Sequence, residues 1–139
     1  MSSPRPFANA LDLLRAAKLR PTRQRLGLAR LLFEKGDRHV TAEQLHDEAT
    51  AAVMSVSLAT VYNTLHQFVS AGLLREVVVD PGRSYFDTNT ADHHHFFFEE
   101  TGRLMDIASD RVSVTNLPQP PHGAIKRVDV TIRVGKPGR

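Results

Sequence analysis

The chain has 139 residues, with 18 Lys and Arg against 15 Asp and Glu, 7 His and no Cys. That length fits one ordinary domain or two small ones, and the lack of cysteine excludes disulfides, iron–sulfur clusters, thiolate zinc sites and cysteine nucleophiles. Charge is unevenly spread: residues 1–38 carry 9 Lys and Arg against 3 acidic residues, residues 39–118 carry 4 against 11, and residues 119–139 carry 5 against 1. A basic head suits a polyanion and an acidic, histidine-bearing middle suits a cation, while solvated helices carry charge in the same way.

In chain order, residues 1–6 show no apolar segment after their basic residue, so no secretory leader is read there. No apolar run reaches the roughly 18 residues of a membrane span, and a cytoplasmic protein without a membrane partner is expected. Residues 8–18 place Leu11, Leu14 and Ala17 at helical spacing, a first helix. Pro21 disfavours helical geometry at Arg20. Thr22 then caps a second helix reaching about Glu34, with Leu28, Leu31 and Leu32 inward and Gly36-Asp37 as its stop. Thr41 followed by Gln44 has the capping-box form and opens a third helix to about Ala52.

Ser57 caps a fourth helix over residues 58–71, stopped by Gly72. Leu58, Val61, Tyr62, Leu65, Phe68 and Val69 face inward, and Thr60, Asn63, Thr64 and Gln67 face outward. Residues 73–79 and 84–87, joined by the turn 80–83, read as a hairpin. Helices followed by such a hairpin make a winged helix-turn-helix, with the fourth helix in the major groove and Arg83 on the wing.

The polar residues 88–92 form a hinge. Beyond it, residues 93–98 and 103–107 read as strands around a Thr101-Gly102 turn, residues 109–113 as a short helical piece, 117–121 as extended loop and 128–134 as an alternating strand. About 50 residues of this kind are too few for a stable core alone, so a homodimer is expected. The expected fold is α+β: a winged helix-turn-helix domain over residues 1–88 and a small α/β dimerisation and sensing domain over residues 89–139.

Small and hydroxyl residues at the fourth helix's start, Ser57 and Thr60 among them, let it sit deep in a groove. Tyr62 is placed to reach a thymine methyl or a phosphate. Asn63 can bond an adenine edge bidentately, and is equally the surface residue of any helix. Arg20, Arg23 and Arg25 cluster where the second helix begins, suited to phosphate or a narrow minor groove, and each alone is equally a solvated side chain.

His93, His94 and His95 alternate along one strand, so the run can feed two sites. A histidine pair of this spacing is also simply polar surface, and beside Phe96, Phe97 and Phe98 the run suits an apolar macrocycle as well as a core. A zinc hydrolase is disfavoured by the absence of a His-Glu-x-x-His helix. A winged helix that binds protein and never DNA is a further alternative.

The runs LRPTRQR at 19–25, HVTAEQL at 39–45, LATVY at 58–62, GLL at 72–74 and YFD at 85–87 together resemble the ferric uptake regulator family over nearly the whole chain. Residues 56–68, 84–89 and 92–97 resemble its haem-sensing iron response branch of alphaproteobacteria. The resemblance implies a cytoplasmic dimer acting on a double-stranded DNA operator, with Arg20 in the minor groove and Tyr62 with its neighbour in the major groove.

It also implies a hinge metal site at His39, Asp87 and His94, where Phe96 replaces a fourth ligand, and a second site at His93, His95 and Asp129, where the family's glutamate falls near Ser113 and the site is one ligand short unless Asp110 substitutes. Mixed nitrogen and oxygen ligands suit Fe²⁺, Mn²⁺ or Zn²⁺. The family's Cys-x-x-Cys zinc motif is absent, with Glu99, Glu100 and Thr101 in that region. The iron response branch implies haem on His93, His94 or His95, and an iron- and haem-responsive regulator, mainly a repressor, that leaves a palindromic operator when haem binds. The alternative is a repressor whose DNA binding is promoted by Fe²⁺, Mn²⁺ or Zn²⁺.

Overall fold

The computed structural model describes residues 9–137, so the expectations for residues 1–6 and for Ala8 lie outside the described residues. The chain divides into two compact units, Met1–Thr90 and Ala91–Arg139.

The first unit runs α1 (Ala10–Ala16), α2 (Arg23–Phe33), β1 (His39–Val40), α3 (Ala42–Ala51), α4 (Leu58–Ser70), β2 (Arg75–Asp80) and β3 (Arg83–Asp87). Every helix starts on a side-chain cap. Asn9, Thr22, Thr41 and Ser57 accept the backbone N–H of Leu11, Arg25, Gln44 and Thr60 respectively. At Thr41 the Gln44 side chain returns the bond, completing the capping box, and such a cap contributes about 1 kcal/mol. Leu28, Leu32, Phe33, Leu45, Val61, Leu65 and Phe68 from α2, α3 and α4 close on Phe86 of β3 as one buried core. The layout is a winged helix-turn-helix with β2 and β3 as its wing.

The sheet order is β1-β3-β2, antiparallel throughout. Strand β1 has only two residues and was not expected from the sequence. Val40 is fully buried in the core, and His39 pairs with Asp87 across the ladder. Thr88 secures the same junction: its N–H donates to the Arg38 carbonyl at 3.0 Å and its hydroxyl accepts the Arg38 N–H at 2.8 Å. The Arg38 guanidinium in turn pairs with Glu48 of α3 at 2.9 Å.

The second unit runs β4 (His93–Phe98), β5 (Arg103–Ala108), a 3-10 turn (Ser109–Arg111) and β6 (Thr131–Val134). Its sheet order is β5-β4-β6, with β4 antiparallel to β5 and parallel to β6. Along β4 burial alternates, so His93, His95 and Phe97 share the covered face and His94 takes the other. Strand β6 is shorter than its alternation implies. The ladder begins with Thr131 opposite His95, and the Val130 N–H donates to Nδ1 of His94 at 3.0 Å. Met105, Val114, Leu117, Ile125 and Ile132 of this unit are 39–54% exposed.

Candidate functional site

In the second unit the β4–β5 register sets Asp106 opposite His95. Both histidines of the covered face, 6% and 4% exposed for His93 and His95, lean on that carboxylate. Asp106 Oδ1 lies 3.5 Å from Nε2 of His93 and 3.4 Å from Nε2 of His95, and the rings themselves are 4.5 Å apart. His93 Nδ1 lies 2.6 Å from the Ala91 carbonyl. A carbonyl only accepts, so Nδ1 carries the proton, and a neutral ring then turns its Nε2 lone pair toward Asp106. Lone pair and carboxylate repel unless a proton or a cation lies between them. Metal bonds of about 2.0–2.2 Å would put neighbouring ligand atoms roughly 3.0–3.5 Å apart, which is the spacing observed. His93, His95 and Asp106 therefore form a donor set fit for a divalent cation, with ligand atoms inside 4.8 Å of one another. The Ala91 carbonyl acts as the outer partner that fixes the His93 tautomer.

In the first unit, His39 Nε2 lies 3.2 Å from Oδ2 of Asp87. Asp87 is 1% exposed, and its other oxygen accepts the Asn89 N–H at 2.9 Å. This is a second nitrogen–oxygen pair with the same spacing, held by the β1–β3 ladder.

The structure distributes the sequence-named ligands as follows. His39 and Asp87 come together, as do His93 and His95. His94 points from the opposite face of β4, with Nδ1 engaged by the Val130 N–H. Asp129 is bonded by Arg127 Nε at 2.8 and 3.1 Å, and Asp110 lies in the 3-10 turn. Asp106 was not named from the sequence. The hairpin register carried the signal, since Phe98 opposite Arg103 puts His95 opposite Asp106.

The basic residues of the first unit border a cleft between the start of α2 and α4, and Thr64, expected to face outward, is buried at its floor at 5% exposure. The cleft measures about 450 Å³ and is lined by Arg20, Thr22, Gln24, Arg25, Thr60, Asn63, Thr64 and Gln67. Arg25 ties its two walls, donating from Nε to Gln67 at 3.1 Å and from Nη1 to the Arg20 carbonyl at 3.0 Å. The Ser57 hydroxyl caps α4 and donates to Thr60 Oγ1 at 3.0 Å. Arg23 is exposed, and Arg83 on the wing lies 3.5 Å from Asp80. Tyr62 donates its hydroxyl to Glu43 of α3 at 3.0 Å. That hydrogen bond first, then desolvation and the carboxylate's charge, raises the phenol above its ordinary value of 10.0. No helix among the described residues is long and apolar enough to cross a membrane.

The repressor named peroxide-responsive repressor PerR of Staphylococcus aureus strain Mu50 is 33% identical over 94 residues, 68% of this chain and 63% of the relative. The protein of the same name from Staphylococcus epidermidis is also 33% identical over 94 residues, 68% of this chain and 62% of its own. The matches thus span less than two thirds of these relatives' length. Among solved structures, the ferric uptake regulator of Pseudomonas aeruginosa with manganese superposes with a TM-score of 0.70 at 24% identity, covering 92% of this chain and 98% of its own. That of Vibrio cholerae gives 0.68 at 22% identity, covering 90% and 98%. Both share this fold. The model of the ferric uptake regulator family matches residues 16–134, and the chain belongs to that family.

Proposed function

We propose that this protein is a metal-responsive transcription regulator of the cytoplasm, acting by binding and not by turnover. A homodimer grips duplex DNA through α4, the cleft bordered by Arg20 and Arg25, and the wing at Arg83. A divalent cation promotes that grip. The observation that carries the reading is the convergence of the exposed Asp106 carboxylate on the buried His93 and His95 rings, with the His93 tautomer fixed for ligation. Nitrogen–oxygen donors of this kind suit Mn²⁺, Fe²⁺ or Zn²⁺. Three protein donors leave open coordination positions. The hinge site read from the resemblance stays in the proposal. A cation on His39 and Asp87 needs further donors. The exposed apolar residues of the second unit support pairing with a second copy, because so small a unit gains from a shared core.

Haem release of DNA, the finer reading from the iron response branch, has less support in the geometry. His93 and His95 are buried against a carboxylate, and a cavity of about 320 Å³ in their unit is lined by Phe98, Leu104, Met105 and Val134 among others and by neither of these histidines. The relatives' name favours a refinement instead. In a chain without cysteine, a response to peroxide would run most directly through a redox-active metal such as Fe²⁺.

Gel shifts of duplex DNA with metal-freed protein, then with Mn²⁺, Zn²⁺, Fe²⁺ or haem, test the reading. The metal account expects retardation with a divalent cation and its loss on chelation. Retardation without metal that is abolished by haem would overturn it in favour of the haem account.

A further inference from the structure

Beside the proposed DNA-facing surface stands a carboxylate that phosphate contact does not explain. Glu43 is exposed in the first turn of α3, where the helix dipole alone would favour it. Its side chain nevertheless crosses to α4 and accepts the Tyr62 hydroxyl at 3.0 Å. Tyr62 neighbours Asn63 and follows Thr60 and Val61 on the helix that would enter the major groove. Facing Glu43 and Tyr62 across a small recess are Thr41, Gly82, Arg83, Ser84 and Tyr85, and Arg83 pairs with Asp80 at 3.5 Å.

The hydrogen-bond chemistry is one-sided. The phenol has one proton, and it is directed at Glu43. An ionised carboxylate has no proton to give. The pair therefore presents acceptors and an aromatic ring edge, with no donor. In the major groove guanine offers only acceptors, N7 and O6, whereas cytosine N4 and adenine N6 offer donors and thymine offers a methyl group. Phosphate oxygens are acceptors as well.

We propose that Glu43 is a specificity-determining residue which turns Tyr62 into an acceptor-only reader, excluding guanine at the base it faces and steering the tyrosine away from the backbone. This rests on the DNA-binding reading above. Glu43 acts partly through Tyr62 and partly through its own remaining lone pairs.

The test selects bound sequences from a random duplex pool with the metal-loaded full chain, then measures affinity for every single-base variant of the selected operator. Wild type, Glu43→Gln and Tyr62→Phe are compared, with thermal unfolding confirming that each is folded. The amide of Glu43→Gln keeps the shape of the carboxylate and adds an N–H donor. The proposal expects one base position per half-site at which wild type rejects guanine and Glu43→Gln accepts it about tenfold better, within the range of a single base contact. Tyr62→Phe relaxes selectivity at that same position. A Glu43→Gln variant that tightens binding to all sequences alike, with a steeper salt dependence, would show only lost charge repulsion and overturn the proposal. So would unchanged selectivity in a variant that binds normally, which leaves the DNA reading standing. If no sequence is enriched by wild type, the DNA reading itself fails and the proposal falls with it.

Discussion

Replacing Asp106 by Asn should change the sign of its effect on stability between the metal-free and metal-loaded protein. Without metal, Oδ1 of Asp106 faces two imidazole nitrogens at 3.4 and 3.5 Å. When those rings are neutral the carboxylate repels at least the His93 lone pair, so the neutral amide is neutral or stabilising, by up to about 1 kcal/mol for a group this exposed. With metal, the same carboxylate is the one anionic donor of the set in its unit. A cation at about 100 times its Kd stabilises the folded state by about 2.7 kcal/mol. Loss of even an outer-shell partner costs a metal about 10- to 100-fold in affinity, and a direct ligand should cost at least the upper end. Most of that stabilisation would disappear. Differential scanning calorimetry with and without Mn²⁺ or Zn²⁺ reads both arms. A rise in Tm of several degrees for wild type, and little or none for Asp106→Asn, is expected. A variant whose Tm rises with metal as much as wild type would refute the assignment of Asp106 as a ligand.

Three further outcomes follow from the first unit. Phe68→Ala should destabilise by about 3–5 kcal/mol in a denaturant titration, because Phe68 is fully buried and packs, tilted by 46°, against the Phe33 ring at 6.1 Å. Val53→Asn should stabilise by about 1 kcal/mol, since this valine is 92% exposed and holds a left-handed φ of 60° that suits asparagine better. Arg25→Ala should weaken duplex binding several-fold while leaving the slope of affinity against salt nearly unchanged, because its donors hold Gln67 and the Arg20 carbonyl; a slope reduced by about one would instead mark Arg25 as a phosphate contact.

Much of the first unit was legible because its signals are local. Thr22, Thr41 and Ser57 cap helices that begin one residue later, and the apolar stripe of α4 is the core-facing stripe in the structure. Strand β1 was not legible: two residues carry no period, and only Val40 plugging the core and the ladder to β3 define it. That omission hid why His39 and Asp87 meet. The alternation of His93, His94 and His95 was readable from strand geometry alone. Asp106 required one further step, counting the hairpin register across the β4–β5 turn. Residues 128–130 alternate as a strand would, yet Val130 gives its N–H to the His94 ring, and a side-chain acceptor of that kind leaves no mark in a hydropathy pattern.

Thermodynamic reciprocity supplies the sharpest check on the coupling of metal to DNA. The Mn²⁺ affinity of the full chain is measured by calorimetric titration, once alone and once saturated with its selected operator. The account predicts tighter Mn²⁺ binding on the duplex, by the same factor by which Mn²⁺ tightens DNA binding, and loss of both in His93→Ala. Equal Mn²⁺ affinity with and without duplex would contradict it.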